Sequence, residues 1–434
     1  MSEWKEYKLG EICIKVTSGG TPNTRKDEYY GGNIPWVRTQ EVNFNRLYET
    51  DIKITEEGLN NSSAKWIPKD SIIIAMYGAT AGKVAINKIP VTTNQACCNL
   101  IVDEKKADYR FVYYNILSRF SSIANMAIGG AQQNLNAGMI KNLAINLPDL
   151  PTQTSIAEIL SSLDDKIELN NKINQELEHL AQTLFKQWFI DFDFPNENGD
   201  PYKSSGGVMI DSELGEIPKG WEVGVLEDLI DFSNGNAFKS KELLKEDIGD
   251  CYHVFKMGHI KKGGGLNVDG TKSYYEKSKA KKLEKYVLRV GDLLMCMTDM
   301  KGNVALLGHT ALMNENKKYI VNQRVGLLRP NNDLGIDFPY LYILTNSNKF
   351  IEDLRSRANS GVQVNLSTNE IKVSKVLLPS KAINVAFDNC VKSFFESIFY
   401  NIKENQELTN LRDTLLPKLI SGELEVADVM AEKA

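Results

Sequence analysis

Asn170-Asn-Lys-Ile-Asn-Gln-Glu-Leu177 returns 231 positions later as Asn401-Ile-Lys-Glu-Asn-Gln-Glu-Leu408. Around the first copy, Ile156, Leu160, Leu163, Ile167, Asn170, Asn174, Leu177 and Leu184 keep a 4-3 spacing with one step of seven. Around the second, Phe387, Val391, Phe394, Ile398, Asn401, Asn405, Leu408 and Leu415 keep the same spacing. So narrow an apolar seam belongs to a helix packed along another helix. Asn at adjacent seam positions in both copies is a device that fixes register. An antiparallel pairing is expected. It sets Ile156 by Leu419 and Trp188 by Phe387, and faces Asn170 with Asn405 and Asn174 with Asn401.

The flanks repeat more weakly. Trp4 and Leu9 map onto Trp221 and Leu226, and Gly82-Lys-Val-Ala85 resembles Gly302-Asn-Val-Ala305. Thr93-Asn-Gln95 resembles Val321-Asn-Gln323, and Gly130–Leu135 matches Gly361–Leu366 at the same offset. The chain therefore reads as a tandem duplication: a globular unit over 1–150, a long helix over 151–191 and a linker over 192–219. A second unit over 220–379 follows, then a long helix with a tail over 380–434. Ile72–Met76, Val84–Ile86, Leu143–Leu147 and Val373–Leu378 read as strands, and Tyr109–Arg119 and Pro339–Asn346 as helices. The fold class is thus α+β, with two mostly-β units. Ser155-Ile-Ala-Glu158 is the expected capping box of the first long helix, and Asn196–Gly220, rich in turn residues, the expected linker. Divergence is greatest at 18–65 and 233–288, as if one scaffold carried two readers of different ligands.

A chain of 434 residues, 42% hydrophobic and 25% charged, is globular and too long for one core. Met1-Ser-Glu-Trp-Lys5 lacks an apolar signal segment, and no apolar run reaches membrane-spanning length. Cys13, Cys97, Cys98, Cys251, Cys296 and Cys390 are scattered without a CxxC, so reduced thiols and a cytoplasmic location are expected. The net charge of −5 does not announce a nucleic-acid binder, but its distribution is uneven. Lys256–Arg289 holds ten basic residues against three acids, whereas Asp149–Asp200 holds eleven acids against three lysines. The first stretch suits an anion and the second a basic protein surface.

Catalytic motifs are missing, so no catalytic residue and no metal ligand set is assigned. Gly78-Ala-Thr-Ala-Gly-Lys-Val84 is one residue short of a phosphate loop and has Val where Mg²⁺ needs Ser or Thr. No Gly-x-Gly-x-x-Gly and no Asn/Asp-Pro-Pro-aromatic element occurs. His179, His253, His259 and His309 are spread along the chain, and Asp164-Asp165 and Asp191/Asp193 read as solvated charge. What the loops do hold is side chains suited to DNA. Gln132, Gln133, Asn134, Gln363 and Asn365 are amides that can bond an adenine edge. Arg25, Lys26, Arg38, Gln40 and Lys83 in the first unit suit phosphate or guanine. Lys239, Lys241, Lys256, Lys261, Lys262, Lys301, Gln323 and Arg324 do so in the second.

Ser18-Gly-Gly-Thr-Pro-Asn-Thr24, Glu28-Tyr-Tyr-Gly-Gly-Asn-Ile-Pro-Trp-Val-Arg38, Ile156–Asn170 and Leu415-Leu-Pro-Lys-Leu-Ile-Ser-Gly-Glu-Leu424, with the half-repeat, resemble the specificity subunits of type I restriction–modification enzymes. The second unit departs: Phe232-Ser-Asn-Gly-Asn-Ala-Phe-Lys239 stands in for the Gly-Gly-Thr-Pro run, and His253-Val-Phe255 for Trp36-Val-Arg38. The resemblance implies a non-catalytic subunit whose two target recognition domains each read one half of a bipartite asymmetric site in double-stranded DNA. It implies that the helices form an antiparallel coiled coil that spaces the domains and docks two modification subunits. Those subunits would carry S-adenosylmethionine for adenine-N6 methylation, and a restriction subunit, a motor-nuclease, would use ATP and Mg²⁺. No cofactor on this chain and no membrane partner are expected. The alternatives are a related methyltransferase–nuclease system outside type I and a structural coiled-coil adaptor.

Overall fold

A computed structural model of the chain describes residues 4–128, 134–300, 304–331, 333–360 and 363–431. The chain divides into two units, Met1–Asn170 with Lys403–Ala434, and Asn171–Ile402. In the first, five strands lie in the order Cys13–Ser18, Cys97–Val102, Ile72–Ala75, Val84–Asn87 and Asn45–Leu47. Ile72, Ile73 and Ile74 are all buried. Ile72 and Ile74 pack with Phe111 and Leu100, and Ile73 packs on the opposite face with Val37 and Ala85. Cover on both faces explains the unbroken apolar run, which a half-exposed strand would replace with alternation. Beside this sheet, Tyr30–Val37 pairs antiparallel with Lys53–Ile54 and parallel with Thr92–Thr93.

The second unit repeats the plan. Its strands Ile230–Asn234, Val325–Pro330, Leu293–Cys296 and Thr310–Leu312 follow the same order. Cys251–Phe255 pairs antiparallel with Tyr274–Glu276 and parallel with Tyr319–Val321. Each unit also pairs its entering strand with its leaving strand, Lys5–Lys8 with Ala144–Leu147 and Glu222–Val225 with Lys375–Leu378.

Backbone hydrogen bonds correct the expected repeat at two places. Gly82 N donates to Ala75 O at 2.8 Å, and it is Gly308 N that repeats this, donating to Cys296 O at 2.9 Å. Both glycines have left-handed backbones, φ +85° and +84°, a conformation that favours glycine. The counterpart of Gly82-Lys83 is therefore Gly308-His309, not Gly302-Asn303. Ten residues separate Met297 from Gly308 where five separate Met76 from Gly82. Second, Asn94 N donates to Val37 O and Asn322 N to Phe255 O, each at 3.0 Å. Phe255 thus matches Val37, and Lys256, not Phe255, matches Arg38.

The long helices span Leu150–Phe189 and Lys381–Ser421. Within the first unit they run antiparallel. Asp164 meets Arg412 at 2.8 Å, and Asn170 Nδ2 donates to Asn405 Oδ1 at 2.9 Å. Within the second unit Asn401 Nδ2 donates to Asn174 Oδ1 at 2.8 Å, and Trp188 lies 5.7 Å from Phe387. The cap of the first helix differs from expectation. Asp149 accepts from Thr152 N at 2.9 Å, so Ser155 and Glu158 sit inside the helix. Pro151 suits that first turn, because its missing N–H falls where a helix has no acceptor for one. The buried stripe is also wider than the seam. Ala181, Phe185, Phe395, Leu416 and Ile420 are buried, whereas Leu177, Leu184, Phe394 and Leu415 are only half-buried. Near its ends each helix packs on a globular core as well as on the other helix, and a second contact broadens the apolar face. The expected linker is folded too. Met209–Ser212 and Gly215–Pro218 form a hairpin, and Phe194 stacks between Tyr202 and Trp221 at 4.7 and 5.2 Å. Its aromatic residues, outweighed by the Gly and Pro count, find an apolar surface to cover.

Candidate nucleic-acid interface

Three loops converge in the first unit. Gly20 N donates to Thr93 O at 2.9 Å, and Trp36 Nε1 donates to Gly20 O at 3.0 Å. Thr21 Oγ1 donates to Gln95 Oε1, tying the Ser18–Thr24 loop to the turn after Thr93. The contact is close enough to require glycine: a Cβ on Gly19 would stand 2.0 Å from Thr93 O. The Arg38 turn closes when Arg38 N donates to Glu41 Oε2 at 2.8 Å. The second unit builds the same cluster from different side chains. Asn236 N donates to Val321 O at 2.9 Å, and a Cβ on Gly235 would stand 2.2 Å from Asn322 O. Lys256 N donates to His259 Nδ1 at 3.1 Å, so His259 fills the place of Glu41.

A second convergence surrounds the end of each central strand. Met76 N donates to Ala96 O, and Leu135 N to Met76 O, which brings Asn134 beside the Gln95 turn. In the second unit Met297 N donates to Arg324 O, and Leu366 N to Met297 O, placing Asn365 beside Gln323 and Arg324. Lys83 Nζ donates to Asn43 Oδ1 at 2.7 Å and lies 5.7 Å from the Phe44 ring centroid.

Arg25, Lys26, Gln40, Asn134, Lys239, Lys241, Lys261, Lys262, Gln323, Arg324 and Asn365 are exposed, and Arg38, Lys83 and Lys256 are half-buried. Arg38 is answered inside the unit by Glu41 and Asp51, and Lys26 by Glu28 and Tyr29. Lys26 is raised above its ordinary value, first by its hydrogen bond to Tyr29. Gln132, Gln133, Lys301 and the side chain of Gln363 lie outside the described residues. Sequence reasoning missed Gln95 and Asn43. Gln95 was legible, since its repeat counterpart Gln323 carried the same amide.

The structure changes two readings of charge. The histidines are not all apart: His253 Nε2 and His259 Nε2 lie 3.2 Å apart. Asp164 is not solvated, for it accepts from Tyr114 Oη at 2.6 Å and from Arg412 Nη1 at 2.8 Å. Its neighbour Asp165 pairs with Arg46, which also reaches Glu168 at 3.5 Å. Among the described residues no cluster of three or more His, Cys, Asp or Glu is placed to hold a metal. Among them, too, no helix is long and apolar enough to cross a membrane.

Two copies of one loop frame, each bearing its own polar side chains, define a duplicated recognition scaffold. The family model for the type I restriction modification DNA specificity domain matches residues 1–179 and again 218–410, and the chain belongs to that family. Its relatives include the type I restriction enzyme MjaIX specificity subunit of Methanocaldococcus jannaschii, 29% identical, with 98% of this chain and 95% of that one covered. The HindI specificity subunit of Haemophilus influenzae is 27% identical, with 98% of this chain and 100% of that one covered. The fold is similar to the crystal structure of a type I restriction–modification S subunit from M. genitalium, with TM-score 0.55, 18% identity and 96% of each chain covered. The work of this chain is DNA sequence recognition in a type I restriction–modification system.

Proposed function

We propose that each loop cluster reads one half of a bipartite, asymmetric DNA site, with residues 1–150 and 220–379 as the two target recognition domains. One observation carries this: the backbone bonds framing the loops are the same in both units, while the side chains presented differ. In this reading Arg25, Lys26, Gln40, Lys83, Gln132, Gln133 and Asn134 meet the first half-site, and Arg38 braces their turn. Lys239, Lys241, Lys256, Lys261, Lys262, Lys301, Gln323, Arg324, Gln363 and Asn365 meet the second. Lysine and arginine on phosphate fix the register, and amides on base edges supply specificity. The paired helices act as an antiparallel coiled coil that sets the spacing and docks two modification subunits. S-adenosylmethionine belongs to those subunits, and ATP with Mg²⁺ to a restriction subunit, all in the cytoplasm. The test exchanges residues 1–150 for the same span of a relative and maps methylated adenines in cells expressing the complex. One half of the methylated sequence should change. A change in both halves, or in neither, overturns the proposal.

A further inference from the structure

We infer that His259 is a positioning residue for DNA recognition by the second unit, holding the lysine-bearing loop 256–272 in its reading shape only while its ring is neutral. The inference rests on the reading of that loop as a DNA contact. Lys256 O already accepts from His259 N at 2.9 Å, whereas Lys256 N has the His259 ring as its acceptor. His259 Nδ1 also lies 3.1 Å from Lys256 O, but with its lone pair turned to Lys256 N the neutral ring satisfies that otherwise unmatched donor and keeps its proton on Nε2. That proton points at His253 Nε2, 3.2 Å away, which must then accept it. His253 is also hydrogen-bonded to the Thr271 backbone, so the chain of bonds runs from one side of the loop to the other.

The rest of the loop is built on the same ring. His259 is fully buried, and Gly270 lies flat against it, where a Cβ would stand 2.4 Å from His259 Cδ2. Asn267 N donates to His259 O at 2.8 Å, Asn267 Nδ2 donates to Gly258 O at 2.9 Å, and Lys261 N to Gly265 O at 2.9 Å. Lys256, Lys261, Lys262 and Lys272 ride on this frame. The groups facing the pair resist added positive charge. Burial first, and then Lys318, Lys272 and Lys256, push the proton off His253 against its bond to the Thr271 backbone, while Tyr274 and Tyr319, stacked on it at 5.0 Å each, shut out water. Glu315, the nearby acid, is engaged by Lys318 at 2.8 Å. A proton on Nδ1 would swing that atom's bond from Lys256 N to Lys256 O, 3.1 Å away, and leave Lys256 N without its acceptor, and a proton on His253 Nε2 would set two N–H groups face to face. The first unit has no such weakness, because Glu41 closes its turn with a carboxylate.

Burial holds His259 down to about 4, against an ordinary value of 6.5 that it regains when the loop opens. Opening therefore becomes easier as pH falls between those values, by about 30-fold from about pH 8 to about pH 5. The experiment measures amide protection of Lys256 and Asn267 in the full chain across that range. Alongside it, selection from duplexes with a randomised centre is run at both pH values. In the wild type, protection should fall about 30-fold, and base preference in the second half-site should weaken while the first half-site keeps its own. His259→Gln and His259→Glu keep an acceptor for Lys256 N, and both should hold protection and selection flat with pH. Lys256→Ala tests the loop's contact with DNA apart from the role of His259. If it weakens selection while wild-type protection stays flat with pH, or if His259→Gln remains as pH-sensitive as wild type, the role of His259 is overturned. If Lys256→Ala leaves selection untouched, the DNA reading of the loop fails, and the inference with it.

Discussion

Asp164 joins three elements of the first unit, and its removal should be costly. It lies on the first long helix, accepts from Arg412 on the second, and accepts from Tyr114 on the helix Tyr109–Ser118. The Asp164 and Arg412 side chains are 14% and 21% exposed. Taking away one partner of a buried pair costs about 3–5 kcal/mol, because the remaining charge stays desolvated. Arg412 retains Asp413, which is 58% exposed and a weaker partner, so Asp164→Ala should cost about 2–3 kcal/mol. Urea denaturation of the full chain, with Trp36, Trp66, Trp188 and Trp221 replaced by Phe in every variant compared, reads the first unit through Trp4 fluorescence, since Trp4 packs 6.1 Å from Phe111 there. A double-mutant cycle with Arg412→Ala should show a coupling of at least about 1 kcal/mol. A loss below about 0.5 kcal/mol with no coupling would mean that the acid is solvated after all, and the three-way joint would be refuted.

Asp388 supplies a pH test. Burial raises its carboxyl from 3.8 to about 7, so the folded state holds a proton that the unfolded chain releases, and stability falls as pH rises between those values. Asp388→Asn should remove that slope and gain up to roughly 4 kcal/mol near neutral pH. Urea midpoints across pH decide it, and a constant difference from wild type would count against it. Gly235→Ala drives a Cβ to 2.2 Å from Asn322 O. It should blur methylation specificity in the second half-site while leaving the first intact, as methylome sequencing would show. Inserting one heptad after Leu163 and another after Leu408 adds about 10 Å of helix. The methylated site should lengthen its spacer by roughly three base pairs with weaker binding, because the second half-site is also rotated. An assembled variant that methylates only the original spacing would sink the ruler idea.

The paired Asn residues, the 4-3 spacing and the offset of 231 residues were legible in the sequence. Burial of one helix face imposes the spacing along the chain, and the constant offset is the mark of a duplicated scaffold. The strands Ile72–Ala75 and Val84–Asn87 were legible for a similar reason, since a strand covered on both faces is mostly apolar, and the buried Asn87 is answered by Pro68 O and Ile89 O. The loop residues were legible as types only. Whether Lys83 answers to Gly302-Asn303 or to Gly308-His309 depends on which carbonyl a backbone N–H reaches, and sequence similarity at a glycine cannot distinguish them. That Arg38 is held by Asp51 as well as by Glu41 three residues on, and that His253 on its strand meets His259 in the turn that follows, depends on how the folded backbone aims each side chain. Asp164 and Asp165 look alike as neighbours on a helix. Only the tertiary packing turns one towards Tyr114 and Arg412 and the other towards Arg46, because successive helical residues face directions about 100° apart.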